Sequence, residues 1–197
     1  MQPWQSDLDH MKWLEYMGVH SFDGHRVLDL GCGSGFLCEK AMESGALLAT
    51  GVDIVEPEMQ KKNQSWEYLS LNLDGRQWRD HLVSHDKYSL ILAFDIIEHL
   101  KSPYDFLEAC LELLAEDGKL VVTTPNLMSW ERYANPHDWS GVKDPQHKIL
   151  FNRYSLTVLL NRVGYAGVTV KAPLRSLSFL GALQPHIGGQ MLCVATP

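Results

Sequence analysis

The sequence VLDLGCGSGF, residues 27–36, joins an apolar run to three glycines at alternate positions, Gly31, Gly33 and Gly35. Glycine at this density weakens helices and strands alike, so the backbone here must turn sharply or lie against another group. In a doubly wound α/β sheet, ligands bind at the carboxyl ends of the strands, and the helix that follows offers free N–H groups. The stretch therefore predicts a ligand-binding turn between a first strand and a first helix.

Strand-like and helix-like segments alternate from about residue 25 to the end of the chain. Seven segments read as strands: RVLDLG, LLATGVDI, WEYLSLNL, YSLILAFD, GKLVVTTPN, AGVTVKAP and QMLCVAT. The helical segments are GFLCEKAMESG, a short stretch after Pro57, SPYDFLEACLELLAEDG and YSLTVLLNRVG. This alternation predicts the α/β class, with a doubly wound, mostly parallel seven-stranded sheet and an antiparallel C-terminal strand.

Two segments lie outside this alternation. Residues 1–20 predict an amphipathic lead-in helix, and residues 126–152 form a long polar and aromatic stretch of the kind that is often a functional loop. No change in composition marks a linker, so we expect a single domain over residues 1–197. No apolar run reaches the ~20 residues that span a bilayer, and the first residues lack the order of a signal peptide.

Charge and cysteine usage restrict the partners. The formal net charge of -7 argues against broad binding to a nucleic-acid backbone, although it leaves room for a narrow site. The cysteines show neither the spacing of a metal knuckle nor that of a disulfide framework, and they are Cys32, Cys38, Cys110 and Cys193. We therefore expect a cytoplasmic protein with a small-molecule partner and no membrane contact, whose oligomeric state the sequence leaves open.

The spacing of the glycines distinguishes two kinds of cofactor. A dinucleotide fingerprint, G-x-G-x-x-G, places its third glycine at position 36. That position is Phe36, and Gly35 comes one residue early. The phenylalanine side chain fills the space that the third glycine keeps open for helix–strand packing. A nicotinamide or flavin dinucleotide is therefore the weaker interpretation.

The stretch VLDLGCGSG instead resembles the first motif of the class I S-adenosylmethionine-dependent methyltransferases. The resemblance continues through YSLILAFDIIEHL, LLAEDGKLVVTTPN and YSLTVLLNRVGY, and it covers about residues 25–170. Glu116-Asp117-Gly118 departs from the L-x-PGG that is usual before the fifth strand. The resemblance implies a Rossmann-like methyltransferase fold with S-adenosyl-L-methionine as the methyl donor.

The resemblance also implies which residues contact the cofactor. Asp29 would orient the glycine loop, formed by Gly31, Gly33 and Gly35, and approach the methionine ammonium group. Asp53, in GVDI at the end of the second strand, would bind the two ribose hydroxyls, since a carboxylate offers two acceptors to a vicinal diol. Either Asn72 or Asp74 would accept a hydrogen bond from the adenine amino group. Further cofactor-binding positions carried over from the resemblance are Cys32, Ile54 and Phe94.

The sequence DIIEH indicates a catalytic cluster. Asp95, Glu98 and His99 are spaced three and four residues apart, so on a helical turn their side chains can converge, and His147 lies in the long loop. The arrangement resembles that of small-RNA terminal 2′-O-methyltransferases and ubiquinone-pathway O-methyltransferases, with an aspartate replacing their first glutamate. We expect Glu98, His99 and His147 to act in acid–base chemistry or substrate contact without a metal. A divalent ion bound by the four side chains is the open alternative.

These observations favour an S-adenosylmethionine-dependent methyltransferase that acts on a hydroxyl or another nucleophile of a small molecule. We expect residues 126–152 and the N-terminal helix to cover the acceptor, with His147 entering the site from the loop. Two alternatives remain: a metal-assisted RNA-end 2′-O-methyltransferase, and a non-catalytic binding protein that keeps the cofactor fold.

Overall fold

The structure is a computed structural model that describes residues 5–55, 65–83, 85–173 and 186–197, with side chains from His10 onward. The strands are β1 (Arg26–Leu30), β2 (Leu48–Asp53), β3 (Glu67–Ser70), β4 (Tyr88–Phe94), β5 (Leu114–Pro125), β6 (Gly167–Lys171) and β7 (Gln190–Thr196). They form one sheet in the order β3-β2-β1-β4-β5-β7-β6. Each neighbouring pair from β3 to β5 is parallel, and β7 runs antiparallel to both β5 and β6. The predicted fold class is confirmed.

Helices cover both faces of this sheet. They are α1 (Gln5–Tyr16), α2 (Phe36–Glu43), α3 (Gln77–Asp80), α4 (Pro103–Leu113), α5 (Trp130–Ala134), α6 (Ser140–Lys143) and α7 (Arg153–Val163), with a short 3-10 turn at Ile97–His99. The lead-in helix is α1. The helix that the sequence predicts after Pro57 lies outside the described residues.

The side chains of β5 alternate between the two faces of the sheet. Leu120 and Val122 pack in a core cluster with residues of α4 and α7, among them Phe106. Val121 packs in the second cluster, with residues of α1 and α2, among them Leu14. Since side chains alternate along a strand, even-numbered residues of β5 face α4 and α7, and odd-numbered residues face α1 and α2.

The start of β5 differs from the sequence expectation. The pattern predicted a helix that continues to Gly118, whereas α4 ends at Leu113 and the strand begins at Leu114. Leu114 is a buried core residue that pairs with Tyr88 of β4, and the register of the two strands shifts directly after that pair. The helical spacing of the leucines therefore includes Leu114, one residue beyond the end of the helix, because the side chain of Leu114 packs in the sheet.

Residues 126–152 form a closed loop on the carboxyl side of the sheet. Asn126 and Phe151 form a parallel bridge, and the Leu127 N–H donates to the Phe151 carbonyl at 2.8 Å, so the loop returns to where it begins. Within it Trp139 is buried, while Trp130 and Tyr133 are exposed. Trp139 and Phe151, which is also buried, therefore anchor the loop.

Two further expectations from the sequence concern disulfide bonds and membrane-spanning helices. All four cysteines are buried and free. Among the described helices, none has the length and apolar character that a membrane crossing requires.

The N-terminus of α7 offers a test of the fold that is independent of the site. Asn152 caps this helix: its side chain accepts from the Ser155 N–H at 2.9 Å, and the Ser155 hydroxyl accepts from the Asn152 N–H at 3.0 Å. Asn152→Ala removes the cap and should lower the free energy of unfolding by about 1 kcal/mol. Denaturant unfolding measures the change. Asn161→Ala, at an exposed position within the same helix, is the matched control and should not destabilise. Equal stability of the Asn152→Ala variant and the parent would contradict the assigned cap.

Candidate active site

The glycine turn after β1 adopts the backbone conformation that the sequence requires. Gly31, Gly33 and Gly35 have φ angles of 81°, 50° and 77°, which side-chain-bearing residues rarely adopt. The N–H groups of Gly31 and Cys32 both donate to the Val52 carbonyl, at 2.8 and 3.1 Å. These bonds connect the turn to the end of β2, next to Asp53, the predicted ribose-binding acid.

A cavity of about 430 Å³ opens at this turn. One side is lined by Gly31 after β1, by Asp53 and Ile54 after β2, and by Asn72, Leu73 and Asp74 after β3. Its volume lies within the range of about 300–1,000 Å³ that small-molecule sites occupy. Five of the ten predicted cofactor-binding residues therefore line one cavity.

The opposite side of the cavity comes from the segment after β4 and from the long loop. Ile96, His99 and Leu100 form the first part, and Pro145, Gln146 and Lys148 form the second. These loop residues flank His147, so the loop that carries the predicted catalytic histidine also forms a wall of the cavity.

Asp53 lies at the centre of the first wall. Its two carboxylate oxygens accept from the Gly33 N–H at 2.9 Å and from the Val55 N–H at 3.1 Å. These bonds fix the orientation of the carboxylate at the cavity and connect it to the glycine turn. A carboxylate oxygen can accept more than one hydrogen bond, so both remain able to bind a diol.

Asn72 and Asp74 differ in the hydrogen bonds that their side chains already make. One oxygen of Asp74 accepts from the Lys101 N–H at 2.7 Å and the other from Lys148 Nζ at 3.2 Å. Burial alone would raise the pKa of Asp74, but these bonds and the two lysine charges hold it below its usual value. Asn72 Oδ1 accepts one bond, from the Asp74 N–H. Asp74 thus ties the loop to the turn after β3, and Asn72 is the better placed of the two for a ligand.

The other five predicted cofactor-binding residues surround the cavity without lining it. Gly35 lies beneath the Trp66 indole, since a Cβ there would come within 2.2 Å of the ring. Cys32 packs against Gly51, whose Cβ would lie 2.8 Å from the sulfur. Asp29 is buried at 3.9 Å from Cys38 Sγ. The remaining two are Gly33, which donates to Asp53 as described, and Phe94, which packs against the ring of His10 in α1.

Two consecutive threonines of β5 hold the segment after β4. The Thr123 hydroxyl donates to Asp95 Oδ1 at 3.0 Å, and the Thr124 hydroxyl donates to Glu98 Oε2 at 2.8 Å. Neighbouring residues of a strand point to opposite faces, so the two carboxylates are drawn apart. Asp95 also has a φ of 51°, which turns the chain sharply after β4. The predicted convergence of Asp95 with Glu98 and His99 is therefore wrong, because the segment is not the regular helical turn that the spacing assumed.

Glu98, His99 and His147 do come together. The rings of the two histidines are 4.7 Å apart, edge to face, and His147 Nε2 lies 3.9 Å from Glu98 Oε1. His147 Nδ1 lies 3.0 Å from the Gly141 carbonyl, which can only accept, so this nitrogen carries the proton. The lone pair of neutral His147 is therefore on Nε2, the atom that faces Glu98.

Glu98 itself is almost completely buried. Burial, followed by the Asp95 carboxylate, raises its pKa to about 8, so the protonated form predominates at neutral pH. The backbone next to it is tied to the loop, because the N–H groups of Lys148 and Ile149 both donate to the Glu98 carbonyl, at 2.8 and 3.2 Å. The loop thus holds His147 against Glu98 by main-chain bonds.

The same cluster could hold a divalent ion. Glu98, His99 and His147 each offer one ligand atom within 4.8 Å of the others. Glu98 Oε1 and His99 Nδ1 are buried and have no hydrogen-bond partner among the described residues. Two imidazoles and one carboxylate suit Mn²⁺ or Fe²⁺. The donor set therefore fits a metal, although with three of the four ligands that the sequence suggested.

Sequence reasoning missed two participants. His10 lies in no recognisable motif, yet its Nε2 lies 3.4 Å from Asp95 Oδ2, across 85 residues of chain. Lys148, next to His147, bonds Asp74. A basic residue next to a candidate catalytic histidine is a weak signal, and nothing in the local sequence indicates the contact of His10.

The chain is similar in sequence to known methyltransferases. Residues 6–170 match the family model described as methyltransferase domain. The chain is 34% identical over 110 residues to the ubiquinone biosynthesis O-methyltransferase of Glaesserella parasuis serovar 5, an alignment that covers 52% of this chain and 46% of the relative. For the protein of the same name from Maricaulis maris the identity is 31%, over 57% of this chain and 45% of the relative. The chain spans about half the length of the curated relatives it matches.

Solved structures show the same fold. A methyltransferase from Archaeoglobus fulgidus, described as dependent on S-adenosylmethionine, superposes with a TM-score of 0.73 at 18% identity, covering 97% of this chain and 94% of that one. The magnesium protoporphyrin IX methyltransferase of Synechocystis gives 0.61 at 16% identity, covering 98% and 83%. Because the family model matches most of the chain, the protein belongs to the methyltransferase domain family, and it has the fold of solved S-adenosylmethionine-dependent methyltransferases.

Proposed function

We propose that this chain transfers the methyl group of S-adenosylmethionine to a hydroxyl group of a small molecule. The observation that carries the proposal is the continuity of one cavity, in which Gly31 and Asp53 lie on one side and His99 on the other. The first side suits an adenosyl cofactor, and the second belongs to a cluster that can accept a proton. The names of the relatives, O-methyltransferases, support a hydroxyl acceptor.

The cofactor would extend across the ends of β1, β2 and β3. Asp53 accepts from the two ribose hydroxyls, and Asn72 accepts from the adenine amino group, because the Asp74 carboxylate is already bonded to the backbone of Lys101 and to Lys148. The glycine turn allows the methionine part to approach the backbone, with Asp29 behind it. This assignment places the sulfonium methyl next to the segment after β4.

Methyl transfer then needs alignment and the removal of one proton. The acceptor oxygen forms a bond to the methyl carbon as the carbon–sulfur bond breaks, with its electron pair passing to sulfur. Most of the acceleration comes from holding the reacting atoms in line at about 3–3.5 Å. His147 Nε2 accepts the hydroxyl proton, the neutral Glu98 carboxyl group accepts a hydrogen bond from the imidazolium that forms, and His99, which lines the cavity, contacts the acceptor.

A metal ion at the same cluster is the second candidate, favoured by the unpartnered atoms of Glu98 and His99. Bound there, a divalent ion would lower the pKa of the acceptor hydroxyl. We favour acid–base chemistry because Asp95 is bonded to Thr123 and held apart from the cluster, which leaves three of the four ligands that the sequence suggested. The negative net charge likewise favours a metabolite over an RNA end, and the buried, free thiols fit a cytoplasmic protein.

Methyl transfer is tested directly with labelled S-adenosylmethionine and a panel of phenols, alcohols, amines and thiols. We expect label in an O-methyl ether. Absence of any methylated product, with tight binding of S-adenosylhomocysteine retained, would instead support a non-catalytic binding protein.

Asp53→Ala tests the cofactor assignment. Loss of hydrogen bonds to a charged group costs about 1.5–3 kcal/mol, so we expect affinity for S-adenosylhomocysteine to fall roughly ten- to a hundredfold in calorimetry. Thermal stability should change little, since the backbone groups that Asp53 bonds are partly exposed. Asp117→Ala, an exposed acid of β5, is the matched control. An Asp53→Ala variant that melts early but binds normally would make Asp53 structural.

His147→Ala tests the proton acceptor. Removal of a general base costs roughly 10²–10⁴-fold in rate. We expect turnover to fall within this range while calorimetry shows unchanged affinity for S-adenosylhomocysteine, because the bonds that orient Asp53 and Asn72 do not involve the His147 side chain. An equal loss of cofactor affinity and turnover would contradict the separate roles.

Chelation separates acid–base from metal chemistry. With EDTA present, we expect activity and melting temperature to stay the same. Loss of activity that Mn²⁺ restores, with Mn²⁺ raising the melting temperature of the parent but not of Glu98→Gln, would assign the cluster to a metal. Gln is the matched replacement because it has the shape of the protonated glutamate and cannot form the carboxylate that would bind the ion.

A further inference from the structure

A second histidine–carboxylate pair lies at the same edge of the sheet, on its other face. His10 of α1 and Asp95 after β4 face each other, with His10 Nε2 3.4 Å from Asp95 Oδ2. Asp95 Oδ1 accepts from the Thr123 hydroxyl at 3.0 Å and from the Gln190 side-chain amide. Three chain segments, α1, β5 and β7, thus converge on one carboxylate.

The backbone at Asp95 is held in an uncommon conformation. Its φ of 51° lies in the left-handed region, where an aspartate is tolerated better than most residues but still at a cost. The Asp95 N–H donates to both the carbonyl and the hydroxyl of Thr123, at 3.1 Å each. Residues held this way are concentrated at binding and catalytic sites, because the surrounding contacts must maintain them.

The arrangement fixes the tautomer of His10. A carboxylate is an acceptor, so the Nε2 nitrogen that faces Asp95 carries the proton and Nδ1 keeps the lone pair. The His10 ring packs on Phe94, with centroids 4.7 Å apart. Its side chain keeps 17% of its surface exposed and that of Asp95 keeps 44%, so a ligand can reach the pair.

Strand order places this pair on the acceptor side. The cavity occupies the ends of β3, β2 and β1 and is bounded after β4 by Ile96, His99 and Leu100. Asp95 comes immediately before Ile96 and is bonded to residues of β5 and β7, which continue the sheet away from the cofactor. A molecule that receives a methyl group must enter from that direction, since the other end of the cavity is assigned to ribose and adenine.

We propose that His10, oriented by Asp95, binds the acceptor by accepting a hydrogen bond from one of its hydroxyl groups. The proposal rests on the proposed function and adds a contact from the opposite face of the sheet to the Glu98–His99–His147 cluster. Anchoring α1 does not require this pair, because Leu14 of the same helix is fully buried in the core.

The binding test needs no turnover. Protein with ¹⁵N-labelled histidine rings, saturated with S-adenosylhomocysteine, is titrated with phenol and with anisole, which has the same ring but no donor hydroxyl. We expect phenol to shift the His10 Nδ1 signal, assigned with His10→Gln, and anisole to leave it in place. In Asp95→Asn, which tolerates the same φ, the shift with phenol should fall at least severalfold. An unmoved His10 signal at saturating phenol, or equal shifts with anisole, would overturn the proposal.

Kinetics give a second readout on any hydroxyl acceptor found in the panel. We expect His10→Gln to raise the KM of the acceptor about tenfold, the effect of one lost hydrogen bond, with kcat and the affinity for S-adenosylhomocysteine unchanged. His81→Gln, at an exposed site, is the matched control. A lower melting temperature with unchanged KM would make the pair structural. Absence of turnover in the parent would count against the proposed function, whereas the titration would still decide the His10 contact.

Discussion

The alternation of side chains at the end of β5 determines how the site is divided. Thr123 and Thr124 point to opposite faces, and each hydroxyl holds one carboxylate of the segment after β4. Asp95 is thereby directed toward α1, while Glu98 is directed toward the loop that carries His147. With a single acid held on each side, the structure has two separate histidine–carboxylate pairs instead of one four-residue cluster.

The loop at residues 126–152 joins the two halves of the site. Lys148 bonds Asp74 beyond β3, and the neighbouring N–H groups bond the Glu98 carbonyl. The same few residues thus form a wall of the cavity and place His147 beside Glu98. This coupling explains how a histidine from a long insertion can have a defined position and tautomer. It also means that the proposed cofactor site and the proposed proton acceptor share one structural support.

The sequence was sufficient for the features that depend on local pattern. Alternating strands and helices, the glycine turn and an acid at the end of the second strand all follow from short stretches. Asp53 and His147 were predicted in this way, and the structure has Asp53 at the cavity and His147 beside Glu98. Asp95 was misplaced because i, i+3, i+4 spacing assumes a helix, whereas a left-handed residue and a 3-10 turn occupy that segment. The contact of His10 and the bonds that occupy Asp74 join residues far apart in the chain, so no local pattern reports them.

A crystal structure with S-adenosylhomocysteine bound tests the central claim most directly. The account predicts both ribose hydroxyls within hydrogen-bond distance of the Asp53 carboxylate, the adenine amino group at Asn72, and the sulfur beside Ile96, facing the segment that carries His99. The acceptor side, between His10 and the Glu98–His147 pair, should stay open. A ligand whose ribose lies away from Asp53, or whose sulfur points toward β3 instead of the segment after β4, would contradict the account.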